Sequence, residues 1–210
     1  MPKLPTEEQL NKLIACGGPI LSLKLWLSKE TGMRPTEVHS LLVRNIDTEH
    51  NAVNPTTAKH GCGRTLIIPP NLTKSLQAHI IKYNLNPNDK VFRSDAKKYG
   101  NDFRGMRKKL AKRTNDQSLM TIRLYDFRHF FATMRYWKYR DVGLTAMDMG
   151  HRDWNTTQKY VHLLKILEMV KDDEWVCKTA NIIEEAKTLV EHGFEYITEI
   201  NGTKLFRKRK

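Results

Sequence analysis

Three basic side chains lie where each could bind an anionic group. Arg34 comes directly before a proline suited to the first turn of a helix, so its guanidinium and the free helix N–H groups could face the same anion. Lys59 lies in a predicted hairpin turn, where its ammonium would act as a movable point charge. Arg128 lies in the apolar stretch DFRHFFATM, and a buried arginine requires a partner. That partner could be a phosphate, or it could be Asp126 or Glu37.

Two tyrosines and a histidine accompany these cations. Tyr125 precedes Arg128 by three positions, so the two side chains share one face of a predicted helix. His151 lies nine residues before Tyr160, and two threonines between them could begin the helix that carries the tyrosine. Taken alone, each of these residues could also be an ordinary core or loop residue. The rest of the sequence must therefore distinguish a functional role from an ordinary structural one.

The composition indicates a basic globular protein. The 210 residues are enough for one domain with a sizeable core, or for a domain plus an appendage. The 36 Lys and Arg against 23 Asp and Glu give a formal charge of +13, which favours nucleic acid as the partner because neutralised phosphates release counterions. Charge alone would also fit a protein that binds an anionic membrane surface, or a basic protein that is simply soluble.

Several classes of protein are disfavoured by the sequence. The longest apolar run is broken by Lys24 and is too short to cross a bilayer, and the N-terminal stretch lacks the layout of a signal peptide. We therefore expect a cytoplasmic protein without a membrane segment, in agreement with three scattered cysteines. Neither CxxC nor HExxH occurs, so we expect neither a metal nor another cofactor.

The elements that must position these residues are predicted to be mainly helical. A capping box at Thr6 and Gln9 begins the first helix, and Gly32 is suited to the end of the second. Residues 44–70 have the β-branched and turn residues of a small antiparallel sheet, with KHGCG as a flexible connection. Helices are predicted over about 6–17, 19–32, 35–43, 71–83, 98–113, 125–137, 142–149 and 155–170.

The C-terminal residues predict a different arrangement. TANIIEEAKTLVEHGFEY is typical of an amphipathic helix, whose apolar side would contain Ile182, Ile183, Ala186, Leu189 and Val190. After it, Asn201-Gly202 between alternating runs predicts a basic β-hairpin.

Four motifs, in order along the chain, resemble the catalytic domain of the tyrosine recombinases, the phage integrase family. The resemblance covers about residues 5–165. A TGxRxxE motif is matched by Thr31, Gly32, Arg34 and Glu37; a hairpin lysine followed by Arg and Pro is matched by Lys59, Arg64 and Pro69. An HxxRHxFAT motif is matched by Arg128, His129, Phe131, Ala132 and Thr133; a GHxxxxxTxxYxH motif is matched by Gly150, His151, Thr157, Tyr160 and His162.

The resemblance implies a fold and a domain organisation. We expect the mainly α fold of these catalytic domains, with its small antiparallel β-sheet, over residues 1–170. Residues 171–210 would form a C-terminal extension, which is similar to the ends of integrases from archaea and their mobile elements. Because the resemblance begins almost at residue 1, we expect no counterpart of the family's usual N-terminal DNA-clamping domain, so that the chain is either a fragment or a protein that clamps DNA differently.

The resemblance also implies a reaction. Tyr160 would attack a DNA phosphodiester and form a 3′-phosphotyrosyl bond without metal or ATP. Arg34 and Arg128 would stabilise the transition state, and Lys59 would protonate the leaving 5′ oxygen. His151 would contact a nonbridging oxygen or help to deprotonate Tyr160.

Tyr125 stands where the family usually has the histidine of HxxR. It could hydrogen-bond a phosphate oxygen, but its side chain cannot provide a positive charge. His129 and His162 are expected to have structural roles. The partners implied are double-stranded DNA and three further copies of the chain, in a homotetramer on synapsed DNA whose C-terminal segments pack onto neighbouring protomers.

Two other functions remain open from the sequence. A type IB topoisomerase uses a similar set of Tyr, Arg, Lys and His, although the motifs are more similar to those of integrases. A DNA-binding protein whose active site has decayed at Tyr125 would retain the same fold.

Overall fold

The computed structural model describes residues 4–56, 62–93, 96–170, 175–200 and 202–209. The chain divides into two compact units, Met1–Leu163 and Leu164–Lys210, each with its own cluster of buried apolar side chains. This division lies earlier than the predicted boundary at residues 170 and 171, which stays a prediction. No helix among the described residues is long and apolar enough to cross a membrane.

Helices build most of the first unit. Their bounds agree with the predicted ranges to within a few residues, except that the third helix ends early, at Ser40, and is followed by two extended residues and a 3-10 turn. The helices are α1 (Glu7–Cys16), α2 (Pro19–Thr31), α3 (Pro35–Ser40), α4 (Pro70–Lys82), α5 (Ala96–Thr114), α6 (Leu124–Tyr139), α7 (Val142–Met149) and α8 (Asn155–Val170), the last of which begins in this unit.

Local signals explain where these helices begin and end. The Thr6 hydroxyl accepts from the Gln9 N–H at 3.2 Å and the Gln9 side chain accepts from the Thr6 N–H at 3.0 Å, so the predicted capping box begins α1. Gly32 and Gly150 end α2 and α7 with φ of 58° and 62°, a left-handed conformation that favours glycine. Both glycines lie next to residues of the candidate site.

A small antiparallel sheet connects α3 to α4. Its strands are β1 (Ile46–Asp47), β2 (Ala52–Val53) and β3 (Leu66–Ile67), in the order β1-β2-β3. Val53 pairs with Ile46 on one side and with Leu66 on the other. The predicted sheet is therefore present. Of the predicted flexible connection KHGCG, residues 59–61, which include Lys59, lie outside the described residues.

The second unit contains a helix and a sheet. Its elements after α8 are β4 (Trp175–Ala180), α9 (Ile183–Glu191), β5 (Glu195–Ile200) and β6 (Thr203–Arg209). The strands are antiparallel in the order β4-β6-β5, and Leu189 of α9 is buried with Ala180 and Phe206.

Two features of this unit differ from the sequence prediction. The hairpin of β5 and β6 was predicted, whereas β4 was not. Ala186 and Leu189 of the predicted apolar side pack against the sheet. Ile182, Ile183 and Val190 instead remain 54%, 73% and 58% exposed, because one three-stranded sheet offers too little apolar surface to cover the whole side.

Candidate active site

A buried carboxylate holds two arginines near the start of α3. Glu37 is fully buried, and it accepts from Arg34 Nη1 at 2.9 Å and from Arg64 Nη2 at 2.7 Å. Burial by itself would raise the pKa of Glu37, but the hydrogen bonds and charges of Arg64 and Arg34 outweigh it and lower the pKa. The ionised carboxylate therefore fixes both guanidiniums.

Arg64 joins this cluster to the turn that precedes His151. A Cβ at Gly150 would lie 2.8 Å from Arg64 Nη1 and 3.0 Å from the Cys62 carbonyl oxygen. The Cys62 N–H also donates to the Gly150 carbonyl at 3.4 Å. Glycine is thus needed at this position for its positive φ and for the close approach of the segment that follows the hairpin.

Arg128 lies on α6 with 1% of its surface exposed. Its Nη1 donates to the Gly32 carbonyl at 2.6 Å and its Nη2 to the Met149 carbonyl at 2.7 Å. Burial, followed by the charges of Arg34 and Arg64, lowers the pKa of Arg128 to about 10. Its guanidinium stays protonated at neutral pH, so the site contains a buried positive charge.

The two carboxylates that the sequence suggested as partners of Arg128 are bound to other arginines. Asp126 accepts from the N–H groups of Arg123, at 2.8 Å for the backbone and 3.1 Å for Nη2. Glu37 binds Arg34 and Arg64 and acts on Arg128 through its charge at longer range. The Arg128 Nε is buried and has no hydrogen-bond partner among the described residues. This combination fits an anion that enters from outside the chain.

His151 contacts Arg128 with one ring nitrogen and α8 with the other. Arg128 Nη2 lies 3.0 Å from His151 Nε2, and His151 Nδ1 lies 2.8 Å from the hydroxyl of Thr157, which is fully buried. Burial, followed by the charges of Arg128 and Arg34, lowers the pKa of His151 to about 4. The imidazole is therefore neutral at neutral pH.

Tyr160 lies on α8 with 1% of its surface exposed. Its hydroxyl is 3.1 Å from Nδ1 of His129, which follows Arg128 on α6. Burial raises the pKa of Tyr160, and the charges of Arg128 and Arg34 oppose that increase. The hydroxyl is therefore protonated at neutral pH and close enough to both arginines to be affected by their charge.

Tyr125 is joined to this group through His129. The two rings meet edge to face with 5.1 Å between centroids, and 41% of the Tyr125 surface is exposed. His129 was expected to have a structural role, and its contact with the Tyr160 hydroxyl was not predicted. A signal was present in the sequence, because His129 is adjacent to Arg128 and one helical turn after Tyr125.

The structure thus gathers most of the candidate residues. Arg34, Arg128 and His151 form one electrostatically coupled group, and Tyr160 lies within range of both arginines. Lys59 lies outside the described residues. His151 also lines an open groove of about 910 Å³ whose walls include Arg64 and Trp154. Among the described residues, no cluster of His, Cys, Asp and Glu side chains could hold a metal ion.

Comparison with known proteins gives consistent matches. The profile of the phage integrase family matches residues 6–166. Tyrosine recombinase XerA of Saccharolobus solfataricus is 32% identical over 159 residues, which are 75% of this chain and 51% of that protein. The chain therefore spans about half the length of this relative.

Solved structures with the same fold include three recombinases of lower identity. XerA recombinase is 20% identical with a TM-score of 0.63, over 93% of this chain and 67% of that chain. XerH recombinase bound to a palindromic difH substrate is 20% identical with a TM-score of 0.61, over 82% and 53%. The catalytic domain of bacteriophage HP1 integrase is 18% identical with a TM-score of 0.57, over 82% and 96%.

Proposed function

Because the chain belongs to the phage integrase family, we propose that it is a site-specific DNA recombinase in which Tyr160 is the nucleophile. The Tyr160 oxygen attacks a DNA phosphodiester, a 3′-phosphotyrosyl bond forms and the 5′ oxygen leaves. A 5′ hydroxyl of a second strand then reverses the reaction on a new partner. No ATP is needed, because the phosphotyrosyl bond retains the energy of the diester.

One observation carries this proposal. The Arg128 guanidinium is buried next to Arg34 and His151, and its hydrogen bonds go to main-chain carbonyls and an imidazole rather than to a carboxylate. A bound phosphate would supply the missing negative charge. The nucleophile Tyr160 is within electrostatic range of the same guanidinium.

Arginine, histidine, lysine and tyrosine side chains have different roles in stabilising the transition state. Arg34 and Arg128 neutralise the charge that develops on the nonbridging oxygens, each contributing about 10²- to 10³-fold in rate. Phosphate binding favours the protonated form of His151, which can then donate to one of those oxygens. Lys59 protonates the leaving 5′ oxygen, and Tyr125 hydrogen-bonds the phosphate.

The partners follow from the reaction and the charge. Double-stranded DNA fits the formal charge of +13, and a transposon integrase of the same fold is described as bound to transposon DNA. Strand exchange between two duplexes requires four nucleophiles, so the active assembly is a homotetramer on synapsed DNA. The C-terminal unit then packs onto a neighbouring protomer. The substrate also fits the predicted cytoplasmic location.

A nicked suicide duplex tests the reaction directly. Its sequence is selected from a random pool of duplexes by binding to the protein, and a covalent protein–DNA band is then sought in a denaturing gel. We expect a band that persists in EDTA and disappears in Tyr160→Phe. Arg34→Ala should slow its formation by about 10²- to 10³-fold, whereas Arg44→Ala, at a surface arginine bound to Asn88, should not.

Other outcomes would support the remaining functions. A duplex that binds tightly but never gives the band would indicate a decayed DNA-binding protein. Relaxation of a supercoiled plasmid without any recombinant product would indicate a topoisomerase.

A further inference from the structure

The Tyr160 hydroxyl contacts a residue to which the proposed mechanism assigns no role. His129 Nδ1 lies 3.1 Å from the hydroxyl oxygen, and the two rings are tilted with 5.8 Å between centroids. Because Tyr160 is 1% exposed, its hydroxyl must find this partner within the protein. The contact joins the nucleophilic oxygen to the residue that follows Arg128.

His151 cannot accept the Tyr160 proton in this arrangement. A guanidinium N–H always donates, so His151 Nε2 must accept from Arg128 with its lone pair. In a neutral imidazole the hydrogen then lies on Nδ1, which donates to the Thr157 hydroxyl at 2.8 Å. Once protonated, His151 would have no lone pair at all. Neither form of His151 offers an acceptor to the phenol.

The surroundings of His129 keep its imidazole neutral. Burial is the largest cause of the lowered pKa of His129, and the charges of Lys159, Arg123 and Arg128 lower it further, while Asp126 opposes them. Asp126 and Arg128 lie on α6, Arg123 directly precedes it, and Lys159 lies on α8, so these groups belong to the two segments that carry the contact. A neutral imidazole has one nitrogen with a lone pair, and Nδ1 faces the hydroxyl.

We propose that His129 is a catalytic residue that accepts the proton of Tyr160 during DNA cleavage, a role that rests on the proposed function. As the bond between the tyrosine oxygen and phosphorus forms, the phenolic proton moves to His129 Nδ1. The bond from phosphorus to the 5′ oxygen breaks, and that oxygen takes a proton from Lys59. In religation the attacking 5′ hydroxyl returns its proton to Lys59 as its oxygen bonds to phosphorus, and the tyrosine oxygen leaves and recovers its proton from His129. The proton thus stays on His129 while the covalent intermediate exists.

Single-turnover cleavage of the nicked suicide duplex across pH 5.5 to 8.5, at saturating protein, tests this role. His129→Asn keeps a polar atom near the Nδ1 position but cannot take up a proton. We expect cleavage about 10²-fold slower and without the rise with pH shown by the wild type. In His129→Ala, added imidazole should restore part of the rate. His50→Asn, at an exposed histidine of the β1–β2 turn, should match the wild type.

A structural role for His129 would give a different result. His129→Asn would then cleave within about threefold of the wild-type rate, with an unchanged pH profile and no response to imidazole, and the proposal would be wrong. Cleavage by the wild-type protein distinguishes a failure of the His129 role from a failure of the proposed function. If the wild type forms no Tyr160-dependent band, the proposed function fails.

If the variants do not fold, a measurement on the wild-type protein still tests the role of His129. Nitrogen-15 NMR of the labelled histidine rings distinguishes a nitrogen with a lone pair from one that carries a hydrogen. We expect Nδ1 of His129 to carry no hydrogen before cleavage, and both ring nitrogens to carry one in the covalent complex. A hydrogen on Nδ1 before cleavage, or a neutral ring in the complex, would overturn the assignment.

Discussion

The Arg128 guanidinium is bound by carbonyls from two places that are far apart in the sequence. Gly32 follows the last residue of α2, and Met149 is the last residue of α7. Carbonyls at helix C-termini carry partial negative charge and attract cations. They hold Arg128 in position without the full charge of a carboxylate. The guanidinium therefore keeps a positive charge that a salt bridge would have neutralised and that the proposed function requires for binding a phosphate.

The titration of a single side chain, His151, should make the free energy of unfolding depend on pH. Its pKa is lowered to about 4 in the folded protein, against about 6.5 when unfolded. Between these values the unfolded chain binds more protons, so stability falls as the pH is lowered from about 6.5 towards 4. We expect the free energy of unfolding in urea to decrease over this range, and to decrease less in His151→Asn. Equal slopes for the two proteins would contradict this assignment of the pKa.

The helix ends determine how the site is assembled. Gly32 and Gly150 end α2 and α7 in the left-handed conformation, and each is followed within two residues by a candidate catalytic side chain, Arg34 or His151. The carbonyls that bind Arg128 lie at the same two turns. A change at either glycine would therefore move a candidate catalytic side chain and the support of Arg128 together.

Two glycine substitutions should have opposite effects on stability. At Gly32 a Cβ would overlap the Phe131 ring, and the φ of 58° disfavours an L side chain. Gly32→Ala should therefore lower the free energy of unfolding by about 2 kcal/mol or more. Gly105 lies inside α5 with open space around its Cβ position. Gly105→Ala should raise the free energy of unfolding by about 0.5 to 1 kcal/mol. Urea titrations compare both variants with the wild type, and a stable Gly32→Ala would contradict the packing.

At the scale of the whole molecule, the two units differ in how completely their apolar residues are covered. The first unit buries a large cluster around α2 and α6, whereas the second buries Ala180, Leu189 and Phe206. Ile182, Ile183 and Val190 remain exposed in the second unit. Such a surface supports the proposed packing of this unit onto a neighbouring protomer.

Assembly should therefore depend on the exposed side of α9. Ile183→Glu places a charge on this surface, and Ile81→Glu is a matched control at an isoleucine of α4 that is 78% exposed. Sedimentation with synapsed DNA should show a tetramer for the wild type and Ile81→Glu, and smaller species for Ile183→Glu. Cleavage of the suicide duplex should stay within about threefold in all three, because a charge on this surface leaves the proposed catalytic groups unchanged. Monomers only, in the wild type, would contradict the proposed tetramer.

Sequence patterns predicted the elements that depend on neighbouring residues. The Thr6 capping box, the glycine at the end of α2 and the β5–β6 hairpin all follow from contacts a few residues apart. The predicted fold class of the family, mainly helical with a small antiparallel sheet, is confirmed by the solved structures that share it. The strand β4 was missed because its central partner β6 lies about thirty residues later in the chain.

The sequence by itself determined which reactive side chains the chain possesses and the helix boundaries next to Arg34 and His151, since an N-terminal proline and left-handed glycines act over a few residues. Only the tertiary structure decided which groups meet. Glu37 binds Arg64, Arg128 binds the ends of α2 and α7, and the Tyr160 hydroxyl faces His129. Those contacts join residues 21 to 96 positions apart. A hydrogen bond forms only within about 3.5 Å, and distances of that size between distant segments are set by the packing of the helices.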